Sequence, residues 1–78
     1  MTATEIAHRV DARGLSCPLP IVRTAMAVKA VRSGGLIEVL ATDPGAPNDF
    51  DAWSRTTGHR LLHSSLEDGV YRFVIIRK

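Results

Sequence analysis

The sequence predicts an α/β fold of order βαβαββ, a two-layer α/β sandwich with a four-stranded mixed sheet and two helices on one face. Three observations carry this expectation. A helical pattern follows Cys17 and stops at Gly34-Gly35. An apolar, β-branched run, Leu36–Thr42, comes directly after that stop. Two further apolar runs flank Glu67-Asp68-Gly69, and Asp-Gly between apolar runs is a strong hairpin signal.

In chain order, His8–Ala12 is short and extended in character, and Gly14 breaks it. From Pro18 to Arg32 the apolar spacing is helical, with Ile21, Val22, Ala25 and Val28 expected on the inner face and Arg23, Ala27 and Ala30 opposite. Pro18 suits the first helical position and Gly34-Gly35 ends the run. Leu36–Thr42 reads as a strand and Asp43-Pro44-Gly45 as a turn. A second helix is expected from about Pro47 to Thr57, with Asp49 and Asp51 near its positive end. Phe50, Trp53 and Thr57 share one side of it, and Gly58 suits its C-terminal cap. Arg60–Leu66 and Val70–Arg77 are the last two strands. Parallel crossovers are right-handed, so both helices can cover one sheet face and leave the other to solvent or a partner.

The length, 78 residues, suits one domain, expected to span 1–78. A chain this short buries only about 60% of its unfolded surface, so its core must be a thin layer. With 45% hydrophobic and 23% charged residues the chain reads as folded rather than disordered. One cysteine cannot close an internal disulfide, which favours a reducing cytoplasm. The opening MTATEIAHRV leads into no apolar run, so no signal peptide is expected. No stretch approaches the roughly 20 apolar residues of a membrane span. A net charge of +2 is too small to imply nucleic acid.

The candidate chemistry is at Gly14-Leu15-Ser16-Cys17-Pro18-Leu19-Pro20. With Cys17 as N-cap of the first helix, its sulfur would lie by the positive helix end, where a thiolate is favoured. Arg13 and Arg23 are close in sequence and would add positive charge. Prolines in the first turn break no helical hydrogen bond, because the lost donors were spare. Pro18 and Pro20 are therefore expected to stiffen the turn under an exposed sulfur, acting through geometry more than stability. Most lone cysteines are inert filler; a strand-to-helix junction at the surface shifts the odds towards reactivity.

The stretch Val10-Asp11-Ala12-Arg13-Gly14-Leu15-Ser16-Cys17-Pro18-Leu19-Pro20 resembles the signature of the TusA/SirA-like sulfur-carrier family, with its Cys-Pro-x-Pro near the N-terminus. Gly34-Gly35, Ala41-Thr42-Asp43-Pro44, Asp49 and Gly58-His59 extend the likeness, which covers roughly residues 8 to 77. The resemblance implies the same βαβαββ sandwich and a sulfurtransferase acting as a persulfide relay. Its cysteine, here Cys17, would receive sulfur from a cysteine desulfurase or a rhodanese-type donor. An acceptor protein serving tRNA thiolation, molybdenum-cofactor assembly or sulfur oxidation would then take it. Independently of the resemblance, a chain with one thiol has no internal resolving partner, so sulfur on Cys17 must leave to another molecule. A cytoplasmic monomer without cofactor, direct nucleic-acid contact or membrane association is expected. The competing reading is a small regulatory or adaptor module, with Cys17 incidental or acting as a sensor of oxidants.

Other residue types are read more plainly. On a strand, His59 and His63 are about 13 Å apart, too far to share one ion with Cys17 or His8, so no metal is expected. Phe50 and Trp53 at helical spacing read as core rather than a base-stacking platform. Turn formation and helix-end charge explain Asp43, Asp49 and Asp51 better than paired acid–base work does. Arg72, Arg77 and Lys78 read as a solvated basic edge.

Overall fold

Alternation along the second strand decides the layering. In β2 (Leu36–Ala41) the side chains of Ile37, Val39 and Ala41 are fully buried, while Glu38 and Leu40 between them are partly exposed. Period 2 sends the first set to one sheet face and the second to the other. The computed structural model describes residues 5–78; residues 1–4, part of the stretch read for a signal peptide, lie outside the described residues. The observed order is β1 (Ile6–Ala12), α1 (Leu19–Val28), β2, α2 (Ala46–Thr57), β3 (Arg60–Glu67) and β4 (Val70–Ile76). The sheet runs β1-β2-β4-β3. β1 pairs parallel with β2, and β4 pairs antiparallel with both β2 and β3. This is the βαβαββ mixed sheet that the sequence predicts.

Both helices pack on the face carrying Val10, Ala12, Val39, Phe73 and Ile75, forming one core with Val28, Ala46 and Phe50. Phe50 stacks on Phe73 at 4.6 Å between ring centroids and meets Trp53 edge-on at 6.1 Å. These rings are core, as their spacing implied. Gly58 caps α2 with φ +85°, and Asp68-Gly69, both at positive φ, makes the β3–β4 hairpin turn.

Helix α1 departs from expectation in length and in facing. It ends at Val28 rather than Arg32, and a tighter turn continues the chain, with the amides of Lys29, Ala30 and Val31 bonding three residues back. Its buried stripe is Pro20, Thr24 and Val28, while Val22 and Ala25, expected inside, are exposed. The helix is turned by about a quarter relative to the apolar count. The reason is Thr24. Its hydroxyl donates to the Pro20 carbonyl at 2.8 Å, so a nominally polar residue enters the core with its hydrogen bond satisfied.

On the open face, Glu38 accepts from Arg9 Nε at 3.0 Å and from Arg72 Nε at 2.6 Å across three strands. Above all the Arg72 bond, together with Arg9, holds its carboxyl below the usual range. Arg77 donates to the Val31 carbonyl, and the Lys78 amide donates to His59 Nδ1 at 3.0 Å. The C-terminal basic residues are thus tied into the fold rather than forming a loose solvated edge.

Candidate functional site

Because β1 and β2 run parallel, with Ala12 paired to Ala41, both strands end at the same rim of the sheet and each leads into a helix there. Two connecting loops therefore meet. The first turns at Gly14, whose φ of +79° is a conformation that favours glycine. The Gly14 amide donates to Thr42 Oγ1 at 2.9 Å, binding this loop to the residue that follows β2. Leu15 N–H returns to the Ala12 carbonyl at 3.2 Å and Leu19 N–H to that of Ser16 at 2.9 Å, which leaves Cys17 exposed in the middle of a closed turn.

Cys17 is not the N-cap. The first helical bond, Val22 N–H to the Pro18 carbonyl at 3.0 Å, makes Pro18 the cap, and the helix begins at Leu19. A residue before proline is disfavoured in the helical region, so Cys17 stays one step outside. The two prolines divide the work. Pro18 is exposed next to Cys17; Pro20, the second residue of α1, is buried on the helix's inner side, so its role includes packing as well as geometry.

The expected positive surroundings are absent. Arg13 forms two 2.8 Å bonds with the Asp11 carboxylate, which hold that carboxyl down at about 2. Arg23 lines a groove between α1 and β1 with His8, Val10, Met26 and Ala30. Neither guanidinium is among the groups acting on the thiol. Those groups are carboxylates. Interaction with the Asp49 carboxylate, then loss of hydration, then the negative charges of Asp49 and Asp43, push the Cys17 pKa up. This differs from the expectation of an acidified thiol, because the charges that act on Cys17 are carboxylates rather than guanidiniums.

Asp49 lies in the first turn of α2, its amide bonded to the Gly45 carbonyl at 3.0 Å. Asp43 Oδ2 accepts from Gly45 N–H at 3.0 Å, closing the turn. Both carboxylates rest against Gly45: a Cβ there would lie 3.0 Å from Asp43 Oδ2 and 3.9 Å from Asp49 Oδ2. In sequence, Asp49 reads only as helix-end charge. The signal that would have found it is topological. In a βαβα unit with parallel strands, both helices start at one rim, so a residue opening the second helix faces the loop before the first.

Along α1 from the thiol, Leu19, Val22 and Met26 are 46%, 44% and 64% exposed, and their spacing places them on one stripe opposite the buried face. Such a stripe beside a reactive atom suits contact with another molecule. The histidines are dispersed. His8 borders the α1–β1 groove, His63 pairs with Val74 within the sheet, and His59 lies 5.2 Å from the Trp53 ring. Trp53 is accordingly half-covered by the core and by His59.

The chain is similar to known proteins. The sulfur carrier protein TusA of Allochromatium vinosum is 47% identical over 68 residues, covering 87% of this chain and 90% of its own. TusA of Pseudomonas putida is 38% identical over 69 residues, covering 88% and 86%. The crystal structure of a SirA-like protein from Desulfitobacterium hafniense superposes with a TM-score of 0.78 at 22% identity, covering 88% of this chain and 95% of that one, a likeness of fold. The family described as sulfurtransferase TusA matches residues 8–77, from the first strand through the thiol loop to the end of the sheet, and this chain belongs to it.

Proposed function

We propose that this protein accepts one sulfane sulfur on Cys17 as a persulfide and hands it to an acceptor protein. The observation that carries this reading is the placement of the chain's one thiol: exposed, in a closed turn at the sheet rim, with no second cysteine to resolve it. Sulfur exchange follows the logic of thiol–disulfide exchange. The Cys17 sulfur attacks the outer sulfur of a donor persulfide, the donor's own S–S bond breaks, and its thiol leaves; the acceptor repeats the step on Cys17. The relatives' names as sulfur carriers support the same role.

The donor is a cysteine desulfurase or a rhodanese-type protein, and the exposed stripe Leu19–Val22–Met26 gives it an apolar landing surface next to the sulfur. The acceptor decides whether the sulfur ends in tRNA thiolation, molybdenum-cofactor assembly or oxidation. Each chain works as a monomer in the cytoplasm, where thiols stay reduced; among the described residues no helix is long and apolar enough to cross a membrane. Arg13, Arg23, Gly14, Pro18 and Pro20 support the turn and helix that present Cys17 rather than reacting themselves.

Intact-mass measurement after incubation with glutathione persulfide tests the reading. The protein should gain the mass of one sulfur atom, lose it on reduction, and gain nothing as Cys17→Ser. Sulfur found elsewhere, or a Cys17→Ser variant that retains full activity in the cell, would instead favour the adaptor reading.

A further inference from the structure

Among the described residues, the large apolar side chains left at the surface form two groups. Leu19, Val22 and Met26 lie along α1; Leu62 and Leu66, 49% and 59% exposed, lie on β3 at the far edge of the sheet. Among the described residues β3 pairs with β4 alone, so the backbone groups along its outer side have no strand partner. Natural proteins blunt such edges with charges or proline. β1, at the other edge, has Arg9 and Asp11 within it. Between Arg60 and Glu67, β3 reads Leu-Leu-His-Ser-Ser-Leu, without lysine, arginine, carboxylate or proline.

The irregularity at Leu62 gives this edge a two-fold pattern. β4 pairs with Leu61 and next with His63, so Leu62 is the extra residue of a bulge. Past the bulge the side chains are shifted to the other face by one step. Leu61, Ser64 and Leu66 are opposite Ile75, Phe73 and Tyr71 on the helix-bearing face; Arg60, His63, Ser65 and Glu67 are opposite Ile76, Val74, Arg72 and Val70 on the open one. Counted outward from Ser64 with Leu62 skipped, each residue has a counterpart on its own face: His63 and Ser65, Leu61 and Leu66, Arg60 and Glu67. Without the bulge, Leu61 and Leu66 would point to opposite faces, and so would Arg60 and Glu67.

We propose that this edge docks a second copy of the chain, β3 against β3 antiparallel, about a two-fold axis through Ser64. Arg60 of each copy stands opposite Glu67 of the other, and Leu61 opposite Leu66 of the other. Charge complementarity selects this occupant. Arg60 and Glu67 are exposed, and neither is in an ion pair among the described residues, so each is free to meet its opposite across the seam. The surface is complementary to itself, as a two-fold interface requires. The two sheets join into one, with all helices on the same face. The thiols stay open, because each Cys17 loop follows β1, about 14 Å away from β3 across the sheet. Sulfur transfer needs one chain, so the pairing joins two complete carriers. One strand edge buries less than the roughly 1,200 Å² of a stable complex, so the association is weak and concentration-dependent.

Sedimentation equilibrium over a concentration series tests this with two charge reversals. The wild type should show a monomer–dimer equilibrium. Arg60→Glu brings two carboxylates together at each end of the seam, and Glu67→Arg two guanidiniums; each should weaken self-association by about 10-fold. Mixed in equal amounts, the two variants should associate at about wild-type strength, because each then faces the opposite charge at both ends. That recovery would also show that both variants are folded. A wild type that stays monomeric at millimolar concentration overturns the proposal. Dimers indifferent to either reversal would have their interface elsewhere and overturn it too, as would a mixture that associates no better than its components. The persulfide reading rests on Cys17 and is untouched by any of these outcomes.

Discussion

The two helix starts face each other across one rim of the sheet and are built alike, yet they do different things. Both have a proline in the first two positions, and neither has a side-chain cap. α1 has no acidic residue in its first turn and is preceded by the exposed thiol. α2 has Asp49 in its first turn, behind an Asp43 turn. Each helix end is locally ordinary. The parallel β1–β2 pairing brings the two starts to one rim of the sheet, so the thiol before the first helix and the acidic turn of the second share an end of the molecule.

The starts are also held differently, and variants expose the difference. The largest effect is expected from Phe50→Ala, which removes the ring stacked on Phe73 one residue beyond Asp49. A loss of about 4 kcal/mol would consume much of the stability of so small a domain, with chemical denaturation as the readout. A loss below about 1 kcal/mol would mean that α2 is not seated by its core face.

Pro20→Ala comes next. Removing its buried ring and its restraint on the unfolded chain should cost about 2 kcal/mol. Pro18→Ala, at an exposed position, should barely move the unfolding midpoint but should slow sulfur uptake. Equal costs at the two positions would contradict the division between a packing and a presenting proline.

Two glycines sharpen the comparison further. Gly14→Ala meets open space but must adopt φ +79°, a cost of about 1 kcal/mol, and it should loosen the thiol loop. Gly45→Ala has an ordinary φ of −82°. Its Cβ would press on the Asp43 carboxylate at 3.0 Å, so stability should change little while the pH midpoint of Cys17 alkylation shifts. A Gly45→Ala midpoint identical to wild type would separate the acidic turn from the thiol.

The smallest expected effect is an alkaline drift. The thiol pKa is raised in the folded state. The contribution of the protonated thiol is therefore complete below the unfolded thiol value, and it is lost as pH rises through the folded one. Denaturation midpoints of wild type and Cys17→Ser, compared between neutral and alkaline pH, should show a slightly larger decline for the wild type. A difference that does not change with pH would argue against a raised thiol pKa in the folded state.

Periodicity made most of the fold legible. The run Leu36–Thr42, the Asp68-Gly69 hairpin and the Gly58 cap depend on backbone preferences written into a few neighbouring residues, and each appears where the sequence implied. The facing of α1 did not, because an apolar count cannot know that Thr24 will satisfy its hydroxyl on Pro20 and go inside. Cys17 stood out as the chain's one thiol beside Pro-x-Pro. Its electrostatic environment did not, because Arg13 is neutralised by Asp11 two residues away and Asp49 approaches from 32 positions along the chain.

By itself, the sequence determined the order of elements, the turns and which residue carries the reactive atom, since these follow from local backbone preference and residue chemistry. Only the tertiary structure decided what that atom faces. Charge acts through space and falls off with distance, so nearness in the chain suggested Arg13 and Arg23 at the thiol, while the charges that act on it in the fold are the carboxylates of Asp49 and Asp43.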